Sequence, residues 1–174
     1  MTVSNLSVSE ALRYANHDFL NHLHLIQMNL DLQRVDDAKK VIEQLSEHCK
    51  ILSNVSRLML PQTVEWLQTV NWRYPALQMQ MTSDVLAPVN VKYDEIIVQY
   101  LENTIIHVYD VLDPYEEQQL QLNIEASDKE CQISFHLKGK WKQSRFLTEQ
   151  NILNVETLEE TNTTWKYVIH IYEE

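Results

Sequence analysis

Glycine is almost absent from this chain. One residue, Gly139, stands among 174, where average usage of about 7% would give about twelve. Loops that wrap a bound phosphate need several glycines, because the phosphate must approach bare backbone. A Walker A loop, a dinucleotide-binding G-x-G-x-x-G turn and the glycine-rich loop of a kinase cannot be written with one. Phosphate chemistry here must use side chains, or a nucleotide site on another protein.

Basic residues are also scarce. There are 14 Lys and Arg against 25 Asp and Glu, a formal net charge of −11. Polyanion binding rests on basic residues that release counterions, so nucleic acid is excluded as a partner, and anionic membrane surfaces are disfavoured. No apolar run approaches the roughly 18 residues of a membrane span, and Met1 to Tyr14 lacks the basic-then-apolar pattern of a secretion signal. A soluble, cytoplasmic protein with no membrane partner is the expectation. Cys49 and Cys131 are the two cysteines, and they read as free thiols. The remaining composition, 44% hydrophobic and 22% charged, suits one ordinary domain or two small ones.

Between Ser7 and Leu60 there is neither proline nor glycine. Leu12, Asn16, Phe19, Leu23, Ile26, Leu30 and Gln33 follow a four-three heptad spacing; Ala38, Ile42, Leu45, Cys49, Leu52, Ser56 and Met59 repeat it. The spacing predicts two helices. Ser7 with Glu10 forms a capping-box pattern at the first, and Asp36 and Asp37 suit the start of the second. Pro61 is expected to end the second helix. The junction near residues 34–36 is short, so the helices form an antiparallel hairpin. Two amphipathic helices cannot enclose a core, and Leu25, Met28 and Leu32 add a second apolar edge. Dimerisation into a four-helix bundle is therefore expected, each chain contributing a hairpin.

Beyond Pro61 the period changes. Thr63 to Val70 reads as a short helix, and Tyr93 to Leu112 as a longer one closed by Pro114. Alternation at Leu77, Met79 and Met81, at Leu120, Leu122 and Ile124, at Cys131 to Leu137, and at Trp165 to Ile171 predicts strands. The fold class is α+β: a helical hairpin over residues 1–61 and an α/β domain over 62–174.

Seven histidines are candidates for chemistry. His48, His107, His136 and His170 have no local partner set. His17, His22 and His24 share one helix, but no two stand at the i, i+3 or i, i+4 spacing that helical metal ligands use, so no metal site is expected. His17 projects about 140° from the centre of the apolar stripe. Asp18 follows it, with Arg13 one turn before and Asn21 one turn after. An imidazole that attacks phosphorus needs exposure, a neutral nitrogen and a group that orients the ring. Asp18 can accept the other ring proton, and Arg13 and Asn21 can meet phosphoryl oxygens.

The run from Asn16 through His17, Asp18, Asn21 and Leu23 to Leu30 resembles the phospho-acceptor helix of the sporulation initiation phosphotransferase B family, a helix shared with citrate-sensing-type sensor kinases. Trp66 to Trp72, Tyr93-Asp94 and the strand ending Phe135 to Gly139 match that family in kind. The resemblance implies a phosphorelay phosphotransferase: a dimeric four-helix bundle with a C-terminal domain shaped like a histidine-kinase ATPase domain that binds no ATP. It makes His17 the phospho-acceptor, with Asp18 and Asn21 its motif neighbours and Arg13, Leu20 and His24 the contacts to phosphate or partner. The partners implied are response-regulator receiver domains, one a single-domain donor and one a transcription-factor acceptor, in control of sporulation initiation. No cofactor of its own is implied; Mg2+ is expected in the partner regulator. Where the family carries a basic residue before the histidine and a lysine five after it, this chain has Asn16 and His22, leaving Arg13 or His22 to supply the charge. Asn103, in Tyr100-Leu101-Glu102-Asn103-Thr104, is similar to a kinase N-box asparagine, but no glycine-rich box follows. Two alternatives stand beside the relay: a kinase-like docking protein that carries no phosphate, and an ATP-dependent sensor kinase fragment.

Overall fold

Ser7 caps the first helix in the way its spacing to Glu10 requires. In the computed structural model, which describes residues 6–142, 146 and 153–172, the Glu10 backbone N–H donates to Ser7 Oγ at 3.3 Å. The Glu10 carboxylate accepts in return from the Ser7 backbone N–H at 2.9 Å and from its hydroxyl at 2.7 Å. These two bonds hold the Glu10 carboxyl below its ordinary pKa. Helix α1 runs Val8–Asp31 and α2 Val35–Val55. With no glycine available, the turn between them places Gln33 in the left-handed region, at φ 59°. Asp36 and Asp37 lie in the first turn of α2.

The chain divides into two compact units, Met1–Ser53 and Asn54–Glu174. This division falls ahead of the 61/62 boundary read from the sequence, because Val55, Leu58 and Leu60 are fully buried in the second unit. In the first unit the least exposed residues are Asn29, Ala38 and Val41, with Ala11, Tyr14, His22, Ile26 and Leu45 half-buried. The hairpin therefore covers only part of the heptad line, at Ile26, Ala38, Leu45 and Leu52. Leu12, Phe19, Leu23, Leu30 and Ile42 remain 58%, 53%, 42%, 50% and 51% exposed. On α1 that line lies about 90° round the helix from the buried positions, at 100° per residue.

Pro61 does not end α2. That helix stops at Val55, a short 3-10 turn covers Ser56–Leu58, and Pro61 opens the next helix. The first helical position suits proline, whose missing N–H would be unpaired there anyway. Helix α3 is Pro61–Arg73, followed by strand β1 (Leu77–Val85), helix α4 (Asp94–Tyr109), β2 (Gln118–Ala126), β3 (Glu130–Lys138), β4 (Asn154–Glu160) and β5 (Thr164–Tyr172). The sheet order is β1-β2-β3-β5-β4, with β1 parallel to β2 and the other pairs antiparallel. The sequence reading missed β4. Its burial does not alternate, Val155 alone being half-buried, so period two leaves no mark there.

Inward-facing residues of the central strands form the core: Leu120, Leu122 and Ile124, then Ile133, Phe135 and Leu137, then Trp165, Tyr167 and Ile169. Ile97, Leu101, Ile105 and Val108 of α4 are buried with them. Asp94, 2% exposed, supplies from α4 the cap that α3 lacks locally. Its carboxylate accepts from Gln62 N at 2.9 Å, Thr63 N at 2.8 Å and Thr63 Oγ1 at 2.8 Å, meeting otherwise orphaned donors of that helix end. Cys131 is buried in β3, whereas Cys49 is exposed on α2.

Candidate phosphoryl-transfer face on helix α1

One face of α1 carries the candidate residues. His17 stands mid-helix with a side chain 70% exposed, pointing away from the apolar line. The uninterrupted helix fixes its backbone; two neighbours fix its ring. Asn21 Nδ2 lies 3.2 Å from His17 Nδ1, and Asp18 Oδ1 lies 3.5 Å from the same nitrogen. Both orienting groups therefore address Nδ1, and Nε2 is left toward solvent with no partner among the described residues.

Nδ1 with a proton donates toward the Asp18 carboxylate, and Nε2 then carries a free lone pair. Nδ1 without one accepts from the Asn21 amide, and the proton sits on Nε2. A turn of the Asn21 amide presents its oxygen instead and supports the first tautomer. Only that tautomer has its exposed nitrogen ready as a nucleophile.

The other expected residues are placed differently. Leu20 is 51% exposed, and His24 is exposed about two turns along from His17. Arg13 is not at His17: its guanidinium lies 5.4 Å from the centre of the Tyr14 ring, and its charge helps lower the Glu10 carboxyl. His22 turns the other way and is half-buried. Its Nδ1 meets the Asp18 carbonyl oxygen at 2.7 Å, so Nδ1 is the protonated nitrogen there. The sequence reading missed this tie between His22 and the backbone beside the acceptor. The i, i+4 spacing to Asp18 was its signal. Among the described residues no group of three His, Cys, Asp or Glu side chains could hold a metal ion.

The remaining histidines are taken up elsewhere. His107 packs edge-on against Phe146 and Trp165, with ring centres 5.2 Å and 5.8 Å away. His136 Nδ1 lies 3.2 Å from Gln121 Oε1; burial first, then Lys166 and Lys138, hold this imidazole below its ordinary pKa. His170 Nδ1 lies 2.8 Å from Glu130 Oε1, and His48 is exposed on α2. Asn103 is exposed. Its neighbour Glu102 faces the helix layer, accepting from Trp66 Nε1 at 2.6 Å and Arg73 Nη2 at 2.5 Å.

Residues 1–58, the hairpin and the turn after it, match the sequence model of the family described as sensor kinase SpoOB-type, alpha-helical domain. Sporulation initiation phosphotransferase B of Bacillus subtilis (strain 168) is 26% identical over 129 residues, a match spanning 72% of this chain and 66% of that protein. The chain thus resembles the sporulation initiation phosphotransferase B family, by the family model over its hairpin and by this one relative. The match spans just under two thirds of the Bacillus relative's length. Similar solved structures include the Acinetobacter baumannii histidine kinase AdeS, at 11% identity and TM-score 0.41, covering 90% of this chain and 97% of that one. Another is histidine kinase ThkA in complex with the response regulator TrrA, at 11% identity and TM-score 0.44, covering 95% of this chain and 61% of that one. No helix among the described residues is long and apolar enough to cross a membrane.

Proposed function

We propose that this protein is a phosphorelay phosphotransferase whose His17 carries a phosphoryl group between the aspartates of two response regulators, in control of sporulation initiation. The observation that carries the reading is the ring of His17: exposed, with both neighbouring polar groups on Nδ1 and Nε2 unencumbered. The resemblance of the run around it to the family's phospho-acceptor helix supports the same assignment.

In the first step the Nε2 lone pair attacks the phosphorus of an aspartyl phosphate. The N–P bond forms, the bond from phosphorus to the carboxylate oxygen breaks, and the aspartate leaves as carboxylate. The ring gains positive charge, which the Asp18 carboxylate beside Nδ1 stabilises. In the second step the carboxylate of the other regulator attacks the same phosphorus, and the N–P bond breaks. Neither step consumes water or ATP. Loose phosphoryl transfer depends mainly on positioning and charge neutralisation; a rigid helix supplies the first, and the Mg2+ in the regulator's acidic pocket supplies most of the second. This chain has no cofactor of its own in that scheme. Leu20 and His24 follow the ring along the helix as contacts to the receiver, and Arg13 reaches incoming phosphate only by leaving Tyr14.

The same reading makes the protein a soluble, cytoplasmic homodimer. Leu12, Phe19, Leu23, Leu30 and Ile42 form a half-exposed apolar line, and fully burying a side chain of this kind contributes about 1.5–3 kcal/mol. Two hairpins joined along that line make a four-helix bundle with His17 on its outer surface.

The test is a two-stage transfer. A single-domain receiver labelled with radioactive acetyl phosphate is mixed with the protein, which is isolated and given an unlabelled receiver. The expected result is acid-labile, base-stable label on the protein that moves to the second receiver. An unlabelled protein that still binds the receiver points to docking without phosphate, and label gained from ATP alone points to a kinase.

A further inference from the structure

Strand β1 lies at the edge of the sheet and pairs with β2 alone. Leu86 N–H donates to Ala126 O at the end of β2, at 2.8 Å, whereas Val85 N–H, one residue earlier, donates to Asn54 Oδ1 at 2.8 Å. Backbone groups alternate in direction along a strand. Even-numbered residues therefore face β2, and odd-numbered residues face outward. Leu77 N–H is also occupied, donating to Tyr74 O at 3.0 Å, and Ser83 has an interaction of its own. Met79 and Met81 are left, and their outward N–H and C=O groups have no partner among the described residues.

Edges of this kind are normally guarded by charge, proline or a bulge. The opposite edge is guarded: β4 is irregular between Thr157 and Glu159 and carries Glu156, Glu159 and Glu160. From Leu77 to Ser83, β1 has no charged residue and no proline.

Open groups at two positions, i and i+2, match the needs of an antiparallel copy of the same strand. Pairing about a two-fold axis at Gln80 sets Met79 opposite Met81 on both sides. Each is then a hydrogen-bonded pair that exchanges both N–H···O bonds, and the open groups of Met79 and Met81 in both copies are satisfied. Gln80 meets its own copy across the axis, Gln78 meets Thr82, and Asp84 falls opposite Ala76, so no like charges oppose. The next strand continues the pattern. Gln78, Gln80 and Thr82 lie beside Gln119, Gln121 and Asn123 of β2, an uncharged patch around a cavity of 350 Å³.

We propose that the β1 edge is a self-association site whose occupant is a second copy of this chain, paired antiparallel about a two-fold axis at Gln80. The interface is isologous, and together with the hairpin interface it links dimers to one another. It is separate from the apolar line of the hairpin and does not depend on phosphoryl transfer.

The test is position-specific crosslinking in the full chain carrying Cys49→Ser. Positions 80 and 80 form a non-hydrogen-bonded pair, whose Cα separation of about 4.5 Å lies within disulfide reach. Gln80→Cys is expected to give a covalent dimer with oxidised glutathione. Gln78→Cys and Thr82→Cys are expected to crosslink when mixed, and neither alone. In the unmodified chain, deuterium exchange at the Met79 and Met81 amides is expected to slow as protein concentration rises. Gln80→Lys, which sets two like charges at the axis, abolishes that slowing, whereas Phe19→Glu in the hairpin leaves it in place. Crosslinking of Gln80→Cys no faster than Gln78→Cys, or exchange independent of concentration, overturns the proposal.

Discussion

Gly139→Ala is a single methyl placed where the structure has no room for it. The backbone of Gly139 lies outside the left-handed region, so the residue is required by space alone. A Cβ there would stand 1.7 Å from Gln118 Oε1 and 2.7 Å from its Cδ. Gln118 ends in a flexible amide, yet that amide cannot swing away freely, being 3% exposed. Its Nε2 donates to Asp113 O at 3.0 Å and Glu116 O at 3.1 Å, and its Oε1 accepts from Lys140 N at 3.1 Å. It thus ties the α4–β2 connection to the end of β3. Displacing it gives up those bonds at a net cost of about 1 kcal/mol each, offset by the roughly 0.4–1 kcal/mol that Gly→Ala recovers from the unfolded chain. The expected loss is about 2–3 kcal/mol by urea titration, a fall in Tm of roughly 5–12 °C. Gln118→Ala already gives up the bonds and opens the space. Adding Gly139→Ala to it is therefore expected to cost under about 0.5 kcal/mol, a non-additivity typical of residues in contact. A Tm unchanged in the single variant, or equal losses in both backgrounds, refutes the reasoning.

Other expectations follow from the same structure. Asp94→Ala removes the cap of α3 and strands Thr63; a loss of about 2–4 kcal/mol is expected in thermal or urea unfolding, with Asp94→Asn intermediate. His170, first among the causes, holds the Glu130 carboxyl below its ordinary value of 4.5. The stability this supplies is complete above 4.5 and lost as pH falls through the lower folded value, so acid titration of Glu130→Gln is expected to show a flatter decline than the parent chain. Gln33 and Met59 both stand at φ 59°, where a side chain costs about 1–2 kcal/mol; glycine at either is expected to raise stability by about 0.5–1 kcal/mol in the same assay, net of the added freedom of the unfolded chain.

Much of the fold was legible because burial here is periodic. The central strands alternate strictly, so β2, β3 and β5 stood out at period two. The Ser7–Glu10 cap is a local pattern and was found as such. What escaped depends on contacts distant in sequence. β4 is an edge strand with almost no buried side, so its residues show no period. Pro61 marks a boundary under either reading, and which helix it belongs to depends on how Leu58 and Leu60 are buried. The cap on α3 comes from Asp94, thirty-one positions from Thr63, beyond any local motif. The heptad line was correct as a pattern, but Leu12, Phe19, Leu23, Leu30 and Ile42 on it stay half-exposed in the single chain. A heptad marks an apolar line without saying whether the chain itself covers it.

At the candidate site, His17, Asp18 and Asn21 were legible because i, i+1 and i, i+4 relations on a helix are set by its geometry. Arg13 was not, since long side chains choose among neighbours and here the Tyr14 ring holds it. The scarcity of glycine has a second face in the structure. Left-handed positions fall to Gln33 and Met59, and the one glycine stands where Gln118 passes beneath the backbone.

The central claim is that phosphate resides on one nitrogen of one histidine. Peptide mapping by mass spectrometry under alkaline conditions, after transfer from a phosphorylated receiver, addresses it directly. The phosphoryl group is expected on His17 and on none of the other six histidines, and His17→Ala, at an exposed position, is expected to fold normally and carry none. Phosphate on a different residue, or an undiminished level in His17→Ala, contradicts the account.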